Sequence, residues 1–118
     1  MSRDWLLYLD DLITAAEKIG RLTQSTTVEQ LTGAEATFDA VLFNLQIIGE
    51  AIKRLPPEAT SELSAMNRSG PARLRDLIVH HYFAIDPDII WEVATRHVPA
   101  LLVESRALRE SRTGAGID

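Results

Sequence analysis

Apolar residues return at steps of three and four along almost the whole chain, the spacing of one helix face. Trp5, Leu9, Leu12, Ala16 and Ile19 predict a first helix from about Arg3 to Leu22. Polar residues from Thr23 to Thr27 interrupt it, and Thr27 is placed to cap a short turn reaching Leu31. A second long helix is expected from just after Gly33 to about Leu55, because Phe38, Val41, Leu45, Ile48, Ile52 and Leu55 form an unbroken row. Ala40, Phe43, Ile47 and Ala51 form another row on the opposite side. A helix apolar on two faces is either central or borrowed by a partner, and in so small a bundle the second row is assigned to a partner chain. Gly49 has little use inside this helix except to allow a neighbour close.

Pro56 and Pro57 stop that helix. A short helical turn is expected from Glu58 to Ala65, then a loop at Asn67-Arg68-Ser69-Gly70. Pro71 suits a first helical turn, and the helix it opens runs to His81 or Tyr82. Phe83 to Ile85 turns the chain, and Asp86 caps a last helix with Pro87 at its first position. Ile89, Ile90, Val93, Val98, Leu101, Leu102 and Leu108 are the apolar residues of that helix, which Pro99 should kink or split near Arg96 and His97. No strand pattern or repeat competes. The expected fold is all-α, a compact four- to five-helix bundle of up-and-down type. Residues 1–112 form a single domain, and 113–118 a frayed C-terminal tail.

Composition narrows the chemistry. With 118 residues there is room for one core, and 46% hydrophobic content is enough to fill it. The absence of cysteine excludes disulfides and thiolate metal sites. No leader or membrane-length apolar run is visible, so a soluble, cytoplasmic protein is expected. The net charge of -5 is the wrong sign for a general nucleic-acid binder. Any such contact must be local or need a second subunit. Arg68, Arg73 and Arg75 do cluster near His80 and His81, a small positive patch on an acidic body.

The segment Arg75-Asp76-Leu77-Ile78-Val79-His80-His81-Tyr82 concentrates the reactive side chains. Arginine grips phosphate through paired hydrogen bonds and keeps its charge, and histidine exchanges protons near neutral pH. On a wheel of about 100° per residue, Leu74, Leu77, Ile78 and His81 share the inward stripe. Arg75 and His80 each fall roughly 110° to either side of it, with Val79 between them on the outer face. Asp76 is one turn before His80 and could orient it. His81 is expected to be a structural histidine bonded inside the bundle, which leaves His80 for chemistry. The plain alternatives are a salt bridge for Arg75 and helix-end packing for Tyr82. Rival chemistries lack support: the glycines are isolated, no histidine pair has metal spacing, and a nucleophilic serine elbow does not suit a helical chain.

Arg75-x4-His80-x-Tyr82 resembles the signature of HepT-like toxins of the HEPN superfamily, and Asn44 to Ala51 resembles that family's central helix. The likeness extends from about Trp5 to Leu108. It implies a homodimer in which Arg75 and His80 are catalytic, with Asp76 in support, in a metal-independent endoribonuclease that needs no cofactor. It also implies a toxin-antitoxin system. The antitoxin is a minimal nucleotidyltransferase that transfers AMP from ATP onto Tyr82, and RNA is the substrate. A different reading keeps the dimer without catalysis: it binds nucleotide or RNA and serves the nucleotidyltransferase as docking platform and AMP acceptor.

Overall fold

A computed structural model describes residues 4–117, apart from the side chains of residues 83 and 113–117. Seven α-helices follow one another among the described residues, and no strand is present. Four are long: α1 (Trp5–Thr23), α3 (Glu35–Arg54), α5 (Ala65–His80) and α7 (Val98–Ile117). Three are short: α2 (Val28–Gly33), α4 (Pro57–Thr60) and α6 (Pro87–Glu92). The all-α bundle expected from periodicity is the fold observed.

The ends of these helices follow their caps. Asp4 accepts the Leu6 amide at the start of α1; the expected start at Arg3 lies outside the described residues. Thr27 and Gln30 form a reciprocal capping box on α2, which buries Leu31. Asp86 accepts the Asp88 amide and Pro87 opens α6.

One core runs through the bundle. Leu9, Leu12, Ile19, Leu31, Val41, Leu45, Ile48, Ile90, Val98 and Leu101 are all but sealed from water. Each such side chain contributes roughly 1.5–3 kcal/mol of burial. α3 is central: it packs on α1 along one side and α5 along the other, and α7 returns against α1. That placement corrects the assignment of its second apolar row to a partner chain. Ala51 is buried within the single chain and Ile47 half-buried, while Phe43 stands out in solvent.

The largest departure concerns α5, which begins at Ala65 and so takes in the four residues Asn67 to Gly70 expected to be loop. Ser64 caps the helix by accepting the Asn67 amide, so Asn67 to Gly70 are helical and Pro71 sits inside, buried. Two tertiary contacts hold this start. The Glu104 carboxylate of α7 accepts the Ser64 amide at 2.9 Å and the Asn67 side-chain amide at 2.9 Å. The Arg68 guanidinium donates to the carbonyls of Thr60 and Leu63. A proline within a helix crowds the residue before it; Gly70 offers no Cβ to crowd, and its bare face lies against Val93 and His97. The preceding turn is correspondingly shorter than expected, Pro57–Thr60 in place of Glu58 to Ala65.

Pro99 leaves its mark as expected, though as a widened turn. A π-turn spans Val93–His97 between α6 and α7, and the Val98 amide reaches back to the Val93 carbonyl. α7 then continues to Ile117, through the Thr113–Gly116 stretch assigned to the tail. Among the described residues no helix is long and apolar enough to cross a membrane.

Candidate functional site

The C-terminal half of α5 carries the motif, and it lies at the edge of the bundle. Leu74 is buried and Ile78 half-buried, and these two hold the helix on the core. Leu77 was expected on the inward stripe but is 37% exposed, and Val79, as expected, is 44% exposed. His81 is exposed too, which corrects its placement inside the bundle. The reason is local. α5 ends at His80, and His81 leaves helical geometry at φ -143, ψ 48, so the wheel no longer sets where its side chain goes. Its amide still closes on the Leu77 carbonyl at 2.7 Å.

Arg75 lies against α3. An added Cβ on Gly49 would come within 2.4 Å of the Arg75 Cβ and 2.7 Å of the Pro71 carbonyl oxygen. The missing side chain is therefore what lets α3 and α5 touch here, as the sequence suggested. The close approach delivers the guanidinium to Glu50, with Nη2 at 2.8 Å from Oε2, and to Asp76, with Nη1 at 3.2 Å from Oδ1. Its Nε is buried with no hydrogen-bond partner. Arg75 lines a cleft of about 380 Å³ with Tyr8, Phe43, Gln46 and Glu50.

His80 faces elsewhere. It lines a second cleft of about 350 Å³ with Arg73, Asp76, Leu77 and His81. Within one chain, then, Arg75 and His80 border the exposed face of α5 from opposite sides, as the wheel required, and do not share a cleft. Asp76 is not His80's orienting partner in this structure. Its carboxylate receives Lys53 and Arg75 instead. The Lys53 hydrogen bond, and then that of Arg75, hold the Asp76 carboxyl below its ordinary value of 3.8.

Tyr82 begins a single 3-10 turn, Tyr82–Ala84, and is 58% exposed. Its hydroxyl donates to Asp39 Oδ1 at 3.4 Å, and it lines a third cleft of about 500 Å³ with Phe38, Leu42, Ile85 and Pro87. The packing alternative for Tyr82 is thus not what is seen.

Sequence reasoning assigned no role to Glu50, Lys53 or Asp39, the partners of Arg75, Asp76 and Tyr82. Glu50 was signalled by its place beside Gly49 in the 44–51 segment, though not as a partner of Arg75. Lys53 and Asp39 lie 23 and 43 residues from their partners, and nothing local announces them.

The structure is thus an all-α bundle that presents arginine, histidine and tyrosine at the surface near one helix end. Comparison with known proteins makes that description specific. Residues 12–108 match the family model described as "Ribonuclease HepT-like". A Methanocaldococcus jannaschii protein named as a candidate RNase, MJ0127, is 34% identical over 97 residues, covering 82% of this chain and 80% of its own. A Thermococcus cleftensis protein named as a candidate ribonuclease HepT is 31% identical over 110 residues, covering 93% of this chain and 100% of its own. No solved structure is similar enough to count as a match. The chain belongs to the HepT-like ribonuclease family.

Proposed function

We propose that this protein is a metal-independent endoribonuclease, active as a homodimer and acting as the toxin of a toxin-antitoxin pair. One observation carries the reading furthest. Arg75 and His80 flank an uncovered strip of α5 bearing Asp76 and Val79, and one chain alone does not bring them into one cleft. Apposing two copies of this helix covers the strip and supplies two histidines and two arginines to one RNA linkage.

The reaction is internal transfer. One His80 takes the proton of a ribose 2′-hydroxyl, whose oxygen forms a bond to the adjacent phosphorus. The bond from phosphorus to the 5′-oxygen breaks, and the second His80 gives that oxygen a proton. The products are a 2′,3′-cyclic phosphate and a free 5′-hydroxyl. Arg75 turns from Glu50 toward the phosphate and offsets the charge that builds on its oxygens.

Tyr82 supports the proposed control. Its hydroxyl is at the surface, within reach of a nucleotidyltransferase that transfers AMP from ATP. The added phosphate and bulk would then repel RNA at the mouth of the site.

The test uses purified protein, a labelled RNA and EDTA throughout. Wild type cleaves; His80→Ala loses roughly 10²–10⁴-fold in rate, and Arg75→Ala roughly 10²–10³-fold. Coexpressed nucleotidyltransferase silences wild type and spares Tyr82→Phe. Full activity in His80→Ala refutes the nuclease reading. The second reading, a non-catalytic dimer that binds RNA or nucleotide and accepts AMP, draws on the fact that Glu50 and Asp76 already satisfy Arg75. It is favoured if wild type binds RNA and cuts none.

A further inference from the structure

We propose that Arg73 binds a backbone phosphate of the RNA next to the one that is cut, in the cleft it shares with His80. The inference rests on the reading of RNA as substrate and deepens it by naming the residue that holds the strand.

Three arginines gather near the motif in the sequence, and the structure separates them. Arg68 is committed to the carbonyls of Thr60 and Leu63. Arg75 is committed to Glu50 and Asp76. Arg73 is exposed, and among the described residues its side chain makes no hydrogen bond or ion pair. It is the arginine of the three with its charge unspent.

Its position is as telling as its freedom. Arg73 precedes His80 by seven residues, two turns on the same side of α5, and both line one cleft. A rise of 1.5 Å per residue puts their Cα atoms about 10 Å apart along the axis. Two side chains so spaced address successive points on a strand better than a single phosphate. The cleft also contains the carboxylate of Asp76, which would repel RNA if bare. Lys53 and Arg75 pair with it from either side, so the local balance is positive. A chain of net charge -5 draws no help from its overall field, so phosphate affinity has to come from cations at this spot.

The experiment measures binding of a fluorescein-labelled single-stranded RNA to full-length His80→Ala protein, by anisotropy over a series of KCl concentrations. Adding Arg73→Ala is expected to weaken binding about tenfold. It should also lower the slope of log affinity against log salt by about 0.7, the value for one phosphate contact on a single strand. Arg73→Lys keeps the slope. Arg96→Ala removes an exposed cation that does not line this cleft, on the π-turn, and leaves both quantities unchanged. In the cleaving protein Arg73→Ala raises KM several-fold with little change in kcat, whereas Arg75→Ala lowers kcat. Unaltered affinity and slope in Arg73→Ala overturn the proposal, as does an equal loss in Arg96→Ala or no RNA binding by the parent. RNA binding that depends on Arg73 in a wild-type protein that never cuts would leave this inference standing and remove the nuclease reading. Cleavage with an unchanged KM in Arg73→Ala would do the reverse.

Discussion

Each residue of the motif is defined by what already holds it. Arg75 has its charge met by two carboxylates before any substrate arrives, so a phosphate must compete with Glu50 rather than fill an empty grip. Asp76 is the hinge of that arrangement, shared between Lys53 and Arg75. Its folded-state carboxyl is held below 3.8 by those partners. A carboxyl with a lowered folded value contributes stability above its unfolded pKa and loses it as pH falls through the folded one. The stability gap between wild type and Asp76→Asn should therefore be constant from neutral pH down to about 5 and close below 3.8. Urea midpoints measured across that range check it. A gap that instead widens in acid would mean that Asp76 is held protonated in the folded protein.

At the scale of an element, α5 shows how a tertiary contact can set where a helix begins. Gly70 and Pro71 read locally as a boundary. Glu104, 40 residues away from Ser64, takes two donors that the first turn would otherwise leave open. Replacing Glu104 with alanine exposes both donors and should cost about 1–3 kcal/mol. The loss should be concentrated in α5: amide exchange should quicken from Ala65 to Gly70 while that of the α1 and α3 amides changes little from wild type. Uniform loss of protection through all helices would show that the contact serves only global stability. The π-turn at Val93–His97 is the companion case, in which a single proline is accommodated by widening the ladder rather than breaking it.

Across the whole molecule, the fold divides α5 into a buried half that fixes its position and an uncovered half that offers chemistry. Val79 lies on the uncovered half, between the residues proposed to act. If two copies meet there, sedimentation should give twice the 13.1 kDa chain mass. Val79→Asp puts a charge into that contact without disturbing a buried side chain. It should yield a folded monomer, with an unchanged helical circular dichroism spectrum and RNA cleavage lost. A cleaving monomer would show instead that one chain assembles the site alone.

How much of this was legible beforehand follows from the range of the forces involved. Helix periods, the Thr27 and Asp86 caps, the close approach at Gly49 and the opposed placement of Arg75 and His80 are local matters. Backbone geometry converts sequence spacing directly into direction over a few turns, so the sequence by itself determined them. It did not determine the true start of α5, the exposure of Leu77 and His81, or the central place of α3. Those depend on which surfaces happen to meet across tens of residues. The partners of Arg75, Asp76 and Tyr82 were decided the same way: a charge pairs with whatever packing brings within a few ångströms, and only the assembled bundle brought Glu50, Lys53 and Asp39 there.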